Sequence, residues 1–437
     1  MRMSIETPTC KAPLETQYTE VGALPFDWSV VPLISLAEKI MVGIASAATH
    51  AYRSSGVTMF RNQNIRPGVL DVQDVLYIDP QYEQTYKNKR LKAGDLLTAR
   101  TGYPGTTSLV PQGFDGAQSF TTLITRPRSG SVDPRYLCLY INGRAGQKYF
   151  EQAQIGGGQK NVNAASLKLL PVAVPSKSKE QRAIADALID AGALIDSLEQ
   201  LLTKKRQIKQ GTMHELLCGK RRLPGFSGDW GSFELRQLGC CIRGVAYNPS
   251  ADLADGDTEK TVRLLRSNNV QGGGIVRTGL QFVDRRRVRS DQYLQVGDLL
   301  LCMANGSRDL VGKAGRYADV DEYRYTFGAF MGCYRPNPAA IDPEFVSFHF
   351  QTRAFRQHVD LLLAGSSINN LRPEGVLGFA LCIPHDQTEQ RAIANVLNEC
   401  DAEVAALEAR LTKARALKQA MAQALLTGRI RFTEANT

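Results

Sequence analysis

Two clusters of side chains in this chain have the chemistry to read nucleic-acid bases. The first is Arg61, Asn62, Gln63 and Asn64, then Arg100, Thr101 and Tyr103, then Gln159, Lys160 and Asn161 after a triple glycine. The second is Arg266, Ser267, Asn268 and Asn269, then Asn305, Ser307 and Arg308, then Ser366, Ser367, Asn369 and Asn370. Arginine pairs bidentately with guanine and Asn or Gln with adenine in the major groove, while Ser or Thr can serve either. Glycines beside them let the backbone approach phosphates. A loop Asn or Gly is also an ordinary turn residue, so both readings stay open at each position. Asn64 and Asn269 recur where reading residues ought to differ, and a backbone-holding role competes with base contact for them. Arg285, Arg286, Arg287 and Arg289 either meet phosphates or guard an exposed strand edge.

Residues for catalysis are not found. The segment from Gly306 to Gly312-Lys313-Ala314 has the wrong spacing for a phosphate-binding loop and lacks its hydroxyl. Asn248-Pro249-Ser250 and Asn337-Pro338-Ala339 lack the second proline and aromatic of an adenine-methyltransferase motif. Asp79-Pro80 through Glu83 and Lys87 lacks the carboxylate-x-lysine ending of a nuclease. The five histidines form no His-x-x-x-His pair, and the nine cysteines form no Cys-x-x-Cys, so no metal site and no disulfide framework is expected. Lys plus Arg outnumber Asp plus Glu by 53 to 43, a net charge of +10. That excess suits a nucleic-acid partner, and ordinary solubility charge would look the same. The segment from Met1 to Gln17 has no signal-peptide core, and no run nears the ~20 apolar residues of a membrane span, which reads as a soluble, cytoplasmic protein.

The elements that position these clusters occur twice. Glu180-Gln181-Arg182-Ala183-Ile184-Ala185 returns as Glu389-Gln390-Arg391-Ala392-Ile393-Ala394, and the match runs without a gap from Glu180–Leu223 to Glu389–Phe432. Upstream, Asp27-Trp28 matches Asp229-Trp230, Arg61-x-x-Asn64-Ile65 matches Arg266-x-x-Asn269-Val270, Gly94-Asp95-Leu96-Leu97 matches Gly297-Asp298-Leu299-Leu300, and Asp133-Pro134 matches Asp342-Pro343. Internal repetition of this kind decides the architecture.

Ile184, Leu188, Ala191, Ile195, Leu198 and Leu202 step alternately by four and three, as do Ile393, Leu397, Cys400, Val404, Leu407 and Leu411. This is a coiled-coil seam on two helices of about 40 residues. Ser178 with Gln181 and Asp386 with Glu389 are capping-box candidates, and Gly219 and Gly428 are candidate C-caps. The basic residues Lys204, Lys205, Arg206 and Lys209, and Lys413, Arg415 and Lys418, read as a solvated face. Apolar residues after them, such as Leu216 and Leu425, suit a docking protein. Two similar halves favour antiparallel pairing about a pseudo-two-fold axis.

The expected fold class is α+β, with two similar mixed α/β domains separated by two long antiparallel coiled-coil helices. The boundaries are a lead at 1–26, a first domain at 27–175, a helix at 176–222, a second domain at 223–384, and a helix and tail at 385–437. Leu96-Leu97, Leu123-Ile124, Val172–Val174, Leu299–Leu301 and Leu381–Ile383 read as strands. Tyr136–Gln152 and Phe345–Leu363 read as helices.

This arrangement resembles the specificity subunit of type I restriction-modification systems, from about Trp28 to Phe432. The doubled Pro-x(4)-Glu-Gln-x-x-Ile-Ala helix start, Pro175 to Ala185 and Pro384 to Ala394, carries the resemblance best, with the Trp, Arg-x-x-Asn and Gly-Asp-Leu-Leu elements. The lead Met1–Phe26 is a departure. The resemblance implies a non-catalytic subunit whose two target-recognition domains each read half of an asymmetric bipartite site on double-stranded DNA. It implies helices that set the unread spacer and dock two methyltransferase subunits, with restriction/translocase subunits joining them. S-adenosylmethionine, ATP and Mg would belong to those partners. A heptad added to both helices, about 10 Å, should then lengthen the spacer alone. A self-contained nuclease and a coiled-coil scaffold that binds no DNA are the competing readings.

Overall fold

The computed structural model describes residues 9–11, 15–46, 48–153, 161–318, 321–364 and 369–433. Its contacts divide the chain into two compact units, Met1–Glu199 with Arg410–Thr437, and Gln200–Ala409. In the first unit a six-stranded mixed sheet runs in the order Ala37–Val42, Leu123–Pro127, Leu96–Thr98, Thr107–Leu109, Gly68–Leu70, Ile65–Arg66. A four-stranded sheet runs Gln118–Ser119, Val57–Phe60, Leu76–Ile78, Tyr52–Arg53. The second unit repeats both sheets. Its six strands are Gly239–Arg243, Met331–Pro336, Leu299–Cys302, Ala314–Arg316, Gly274–Ile275 and Val270–Gln271, and its four run from Tyr325–Phe327 to Leu253–Ala254. A separate strand pair joins Trp28–Pro32 to Pro171–Pro175 in one unit and Trp230–Glu234 to Ala380–Pro384 in the other.

The central strands are buried on both faces, and the pleat sends alternate side chains to different cores. Leu96 and Leu123 enter one apolar cluster of the first unit, while their neighbours Leu97 and Ile124 enter another. Leu299 and Leu301 against Leu300 and Cys302 do the same in the second unit. The repeated Gly-Asp marks the turn into these strands. Gly94 and Gly297 have φ of +87° and +93°, which an L side chain resists. Asp95 accepts two hydrogen bonds from Arg126, and Asp298 two from Arg335, so each buried carboxylate is paired.

Two long helices, Ser178–Leu217 and Gln387–Leu425, each contribute to both units. Ile184 and Leu188 share the first unit's core with Leu425 and Leu426. Ile393 and Leu397 share the second unit's core with Met213, Leu216 and Leu217, so the apolar residues at the helix ends, Leu216 and Leu425 among them, fill cores and do not form the docking surface expected of them. The start of each helix therefore packs beside the end of the other, and the pairing is antiparallel. Of the remaining seam positions, Leu198, Leu202 and Leu411 are buried, and Ile195, Val404 and Leu407 half-buried. Four of the basic residues expected on a solvated face are cross-helix partners: Lys205 and Arg206 bond Glu403 and Glu408 at 2.6 Å, Lys209 pairs with Asp401, and Arg415 bonds Glu199 at 2.6 Å. Exposed pairs of this kind contribute little each. Gly219 and Gly428 end the helices at φ +69° and +65°; a Cβ at Gly219 would press on Trp230, and one at Gly428 would clash with Pro25.

Three local expectations need correction. The Ser178–Gln181 capping box does not form, because Gln181 is used elsewhere. Its Oε1 accepts from the Asp133 amide at 2.9 Å and its Nε2 donates to the Pro175 carbonyl at 3.0 Å. Gln390 ties Asp342 and Pro384 in the same way, at 2.8 Å each. Asp386 does cap its helix, accepting from Thr388 N at 2.7 Å, but Glu389 turns to Arg222. The helices expected at Tyr136–Gln152 and Phe345–Leu363 are each broken in two. Pro134–Asn142 ends at Gly143, where Asn142 anchors to the Thr107 carbonyl, and Arg144–Ala153 follows. Pro343–His349 and Arg353–Ala364 are separated by a turn that the Thr352 hydroxyl fixes. The third concerns Arg285–Arg287, a short 3-10 turn rather than a strand edge.

The N-terminal lead belongs to the first unit. Thr9–Lys11 pairs with Arg431–Thr433, Thr16–Thr19 forms a hairpin with Gly22–Pro25, and Leu24 is buried in the core. No helix among the described residues is long and apolar enough to cross a membrane.

Candidate nucleic-acid interface

Each reading cluster is set by the same device. After Phe60 the chain makes a 3-10 turn over Asn62–Asn64, and after Leu265 one over Ser267–Asn269. Asn64 accepts from the Arg61 amide at 2.8 Å and donates to the Asp71 and Asp74 carbonyls at 3.1 and 2.7 Å. Asn269 accepts from Arg266 and donates to Val276 and Thr278, at 2.9 Å each. Both asparagines are buried, at 1% and 0% exposure. Their amides are spent on backbone groups, the backbone-holding role of the two readings open for them.

The residues between are unlike. Asn62 Oδ1 accepts from the Arg100 amide at 3.0 Å, so the first two loops of the first unit are bound together. Asn62 Nδ2 approaches the hydroxyls of Thr101 and Thr121 at 3.4 and 3.3 Å. Arg61 and Arg100 are half-buried, Thr101 and Asn161 exposed, and Tyr103 is 80% exposed. Arg61, Asn62, Thr101 and Tyr103 line one cavity of about 480 Å³. Gln159 and Lys160 lie outside the described residues.

In the second unit Arg266, Asn268, Asn305 and Asn369 line one cavity of about 1020 Å³. Asn305 Oδ1 accepts from the Ser307 amide at 2.9 Å, and Asn369 Nδ2 donates to the Gly306 carbonyl at 3.2 Å, which joins the middle and late loops. Asn370 is exposed and its strand position faces Ala304. Ser307 and Arg308 are exposed outside the cavity lining, and Arg308 donates to the Asp360 carbonyl at 2.8 Å. Ser366 and Ser367 lie outside the described residues. The arginine run is largely paired, Arg286 with Asp284, Arg287 with Asp252 and Arg289 with Asp291. Burial pushes the Asp321 carboxyl up, but its bonds from Tyr325, the Tyr323 amide and Arg277 outweigh that and the net shift is down.

Sequence reasoning missed Tyr247, Phe330 and Met331, which line the larger cavity. Among the described residues no group of three His, Cys, Asp or Glu is arranged to hold a metal ion.

Residues 25–210 match the family described as the type I restriction modification DNA specificity domain. The chain is 28% identical over 204 residues to the type I restriction enzyme StySPI specificity subunit of Salmonella potsdam, covering 47% of this chain and 43% of that protein. It is 30% identical over 189 residues to the EcoKI specificity subunit of Escherichia coli strain K12, covering 43% and 40%. These matches span about two-fifths of the length of either relative. In fold, the S subunit of a type I restriction-modification system from M. genitalium aligns over 94% of this chain and 97% of its own, with a TM-score of 0.57 and 14% identity.

Proposed function

We propose that this chain is a type I restriction-modification specificity subunit, a non-catalytic protein that selects the DNA on which partner subunits act. Each unit reads one half of an asymmetric, bipartite duplex site. Two methyltransferase subunits dock on the shared scaffold, and restriction/translocase subunits join them. S-adenosylmethionine, ATP and Mg act in those partners.

One observation carries the reading. The residues that repeat between the units are the ones that hold backbone and core, namely Asn64 and Asn269, Asp95 and Asp298, Gln181 and Gln390. The exposed loop residues beside them do not repeat: Tyr103 stands where the second unit has Gly306, and Gln63 where it has Asn268. Matched scaffolds with unlike tips suit recognition of two different sequences, because edge readout is set by a few side chains. A scaffold that binds no DNA would not need that division.

The test is to express the chain with its methyltransferase partners and sequence the modified bases of the host genome. One split motif with two different halves is the expected result. Retention of that duplex should fall steeply with salt, as phosphate contacts release counterions. Modification without a split motif, or retention indifferent to sequence, would overturn the proposal.

A further inference from the structure

The turn Gly328–Met331 holds an aromatic ring in water. Met331 N donates to the Gly328 carbonyl at 2.8 Å, and the Phe330 carbonyl accepts from Met303 N at 2.8 Å and Ala304 N at 3.1 Å. The backbone is thus pinned on both sides, yet the Phe330 side chain is 72% exposed. It borders the cavity of about 1020 Å³, whose wall is mostly apolar, with Tyr247, Pro249 and Met331. Asn268 lines the same space, is exposed, and its side-chain amide bonds no partner among the described residues. Side chains that read a base edge in a groove protrude, whereas this surface is concave. A concave apolar wall with one exposed ring and one free carboxamide fits a single base that has left the stack, held by face contact and by hydrogen bonds to its edge.

Resting on the function proposed above, we propose that the second unit's cavity receives a nucleobase drawn out of its half-site, with Phe330 as the stacking surface and Asn268 as the edge reader. The first unit's cavity also has an exposed ring, Tyr103, but its carboxamides are spent, Asn62 on the Arg100 amide at 3.0 Å and Gln63 on Asp74 at 2.7 Å. Its corresponding turn is one residue shorter, with Thr121 at φ +53°, and Asn62 closes on it at 3.3 Å. The unbonded carboxamide beside the ring is what sets the second unit's cavity apart.

The experiment places 2-aminopurine at each position of both half-sites in turn and reads its fluorescence in the assembled complex with methyltransferase partners. A severalfold rise is expected at one position of the second unit's half-site, away from the modified adenine. Phe330→Ala should abolish that rise and Phe330→Tyr should keep it, while the signal at the modified adenine survives in both. No rise beyond the modified adenine, or one that persists in Phe330→Ala, overturns the inference and leaves the DNA-reading role standing. A wild-type complex with no sequence-dependent retention overturns both.

Discussion

The Arg431 guanidinium closes on both carboxylate oxygens of Glu180, at 2.9 and 2.7 Å, across 251 residues of sequence. Arg222 grips Glu389 in the same way, at 2.6 and 2.7 Å. Arg431 also donates to Asp27 at 2.7 and 2.8 Å. Burial pushes the Asp27 carboxyl up, but Arg431 outweighs it and the net shift is down. Glu180 is 3% exposed, so Arg431→Ala leaves a buried carboxylate unpaired. A loss of about 3–5 kcal/mol is expected, seen as a lower urea midpoint. Adding Glu180→Gln should recover part of it. An unchanged midpoint in Arg431→Ala would show that the pair contributes nothing.

Asn64→Ala and Asn269→Ala should lower stability without changing the DNA motif. Each strips a buried amide from three backbone groups, and an orphaned buried polar group costs about 1–3 kcal/mol. Thermal unfolding should move down while the modified motif stays the same. A changed motif in either variant would mean that these asparagines reach bases.

Replacing Tyr103 or Arg100 should alter only one half of the split motif. Both belong to the first unit, and Tyr103 lines its cavity. Methylome sequencing of cells carrying Tyr103→Ala is expected to show relaxed preference in one half and an intact second half. Changes in both halves would contradict the division of labour.

His349 predicts a pH effect on stability. Burial holds its imidazole at about 3, against an ordinary 6.5, with its ring against Phe345 at 5.0 Å. Between those values the unfolded chain takes up a proton that the folded chain refuses. The stabilisation is complete above about pH 6.5 and is lost as pH falls toward 3, by about a tenfold drop in the folding equilibrium per unit. His349→Gln should flatten that part of the stability profile of the second unit. An unchanged slope would assign the acid sensitivity to other groups.

Much of the scaffold is legible in the sequence because it is periodic. Ile184 and Leu188, four apart, both reach one core, and the alternation in Leu96-Leu97 sends neighbours to two cores. The repeat also marks which residues hold backbone. What it cannot convey is partnership over long separations. Nothing local joins Glu180 to Arg431, and the spacing that suggests a capping box for Gln181 carries no trace of the bonds its amide makes to Asp133 and Pro175. The helix break at Gly143 depends on the Asn142 anchor to Thr107, 35 residues away. The site is the least legible part. Phe330 is exposed only because its turn is pinned by amides from another loop, so nothing in its own neighbourhood announces it.

The exchange of helix ends has a consequence for biosynthesis. The second unit is one continuous stretch, Gln200–Ala409, whereas the first needs Arg410–Thr437 to complete it. Leu425, Leu426 and Arg431 reach its core and its buried carboxylate only after the whole of the second unit has been translated. The part translated first is thus finished last, and a product cut short before these residues carries an open, unfinished amino-terminal half that proteolytic quality control can recognise.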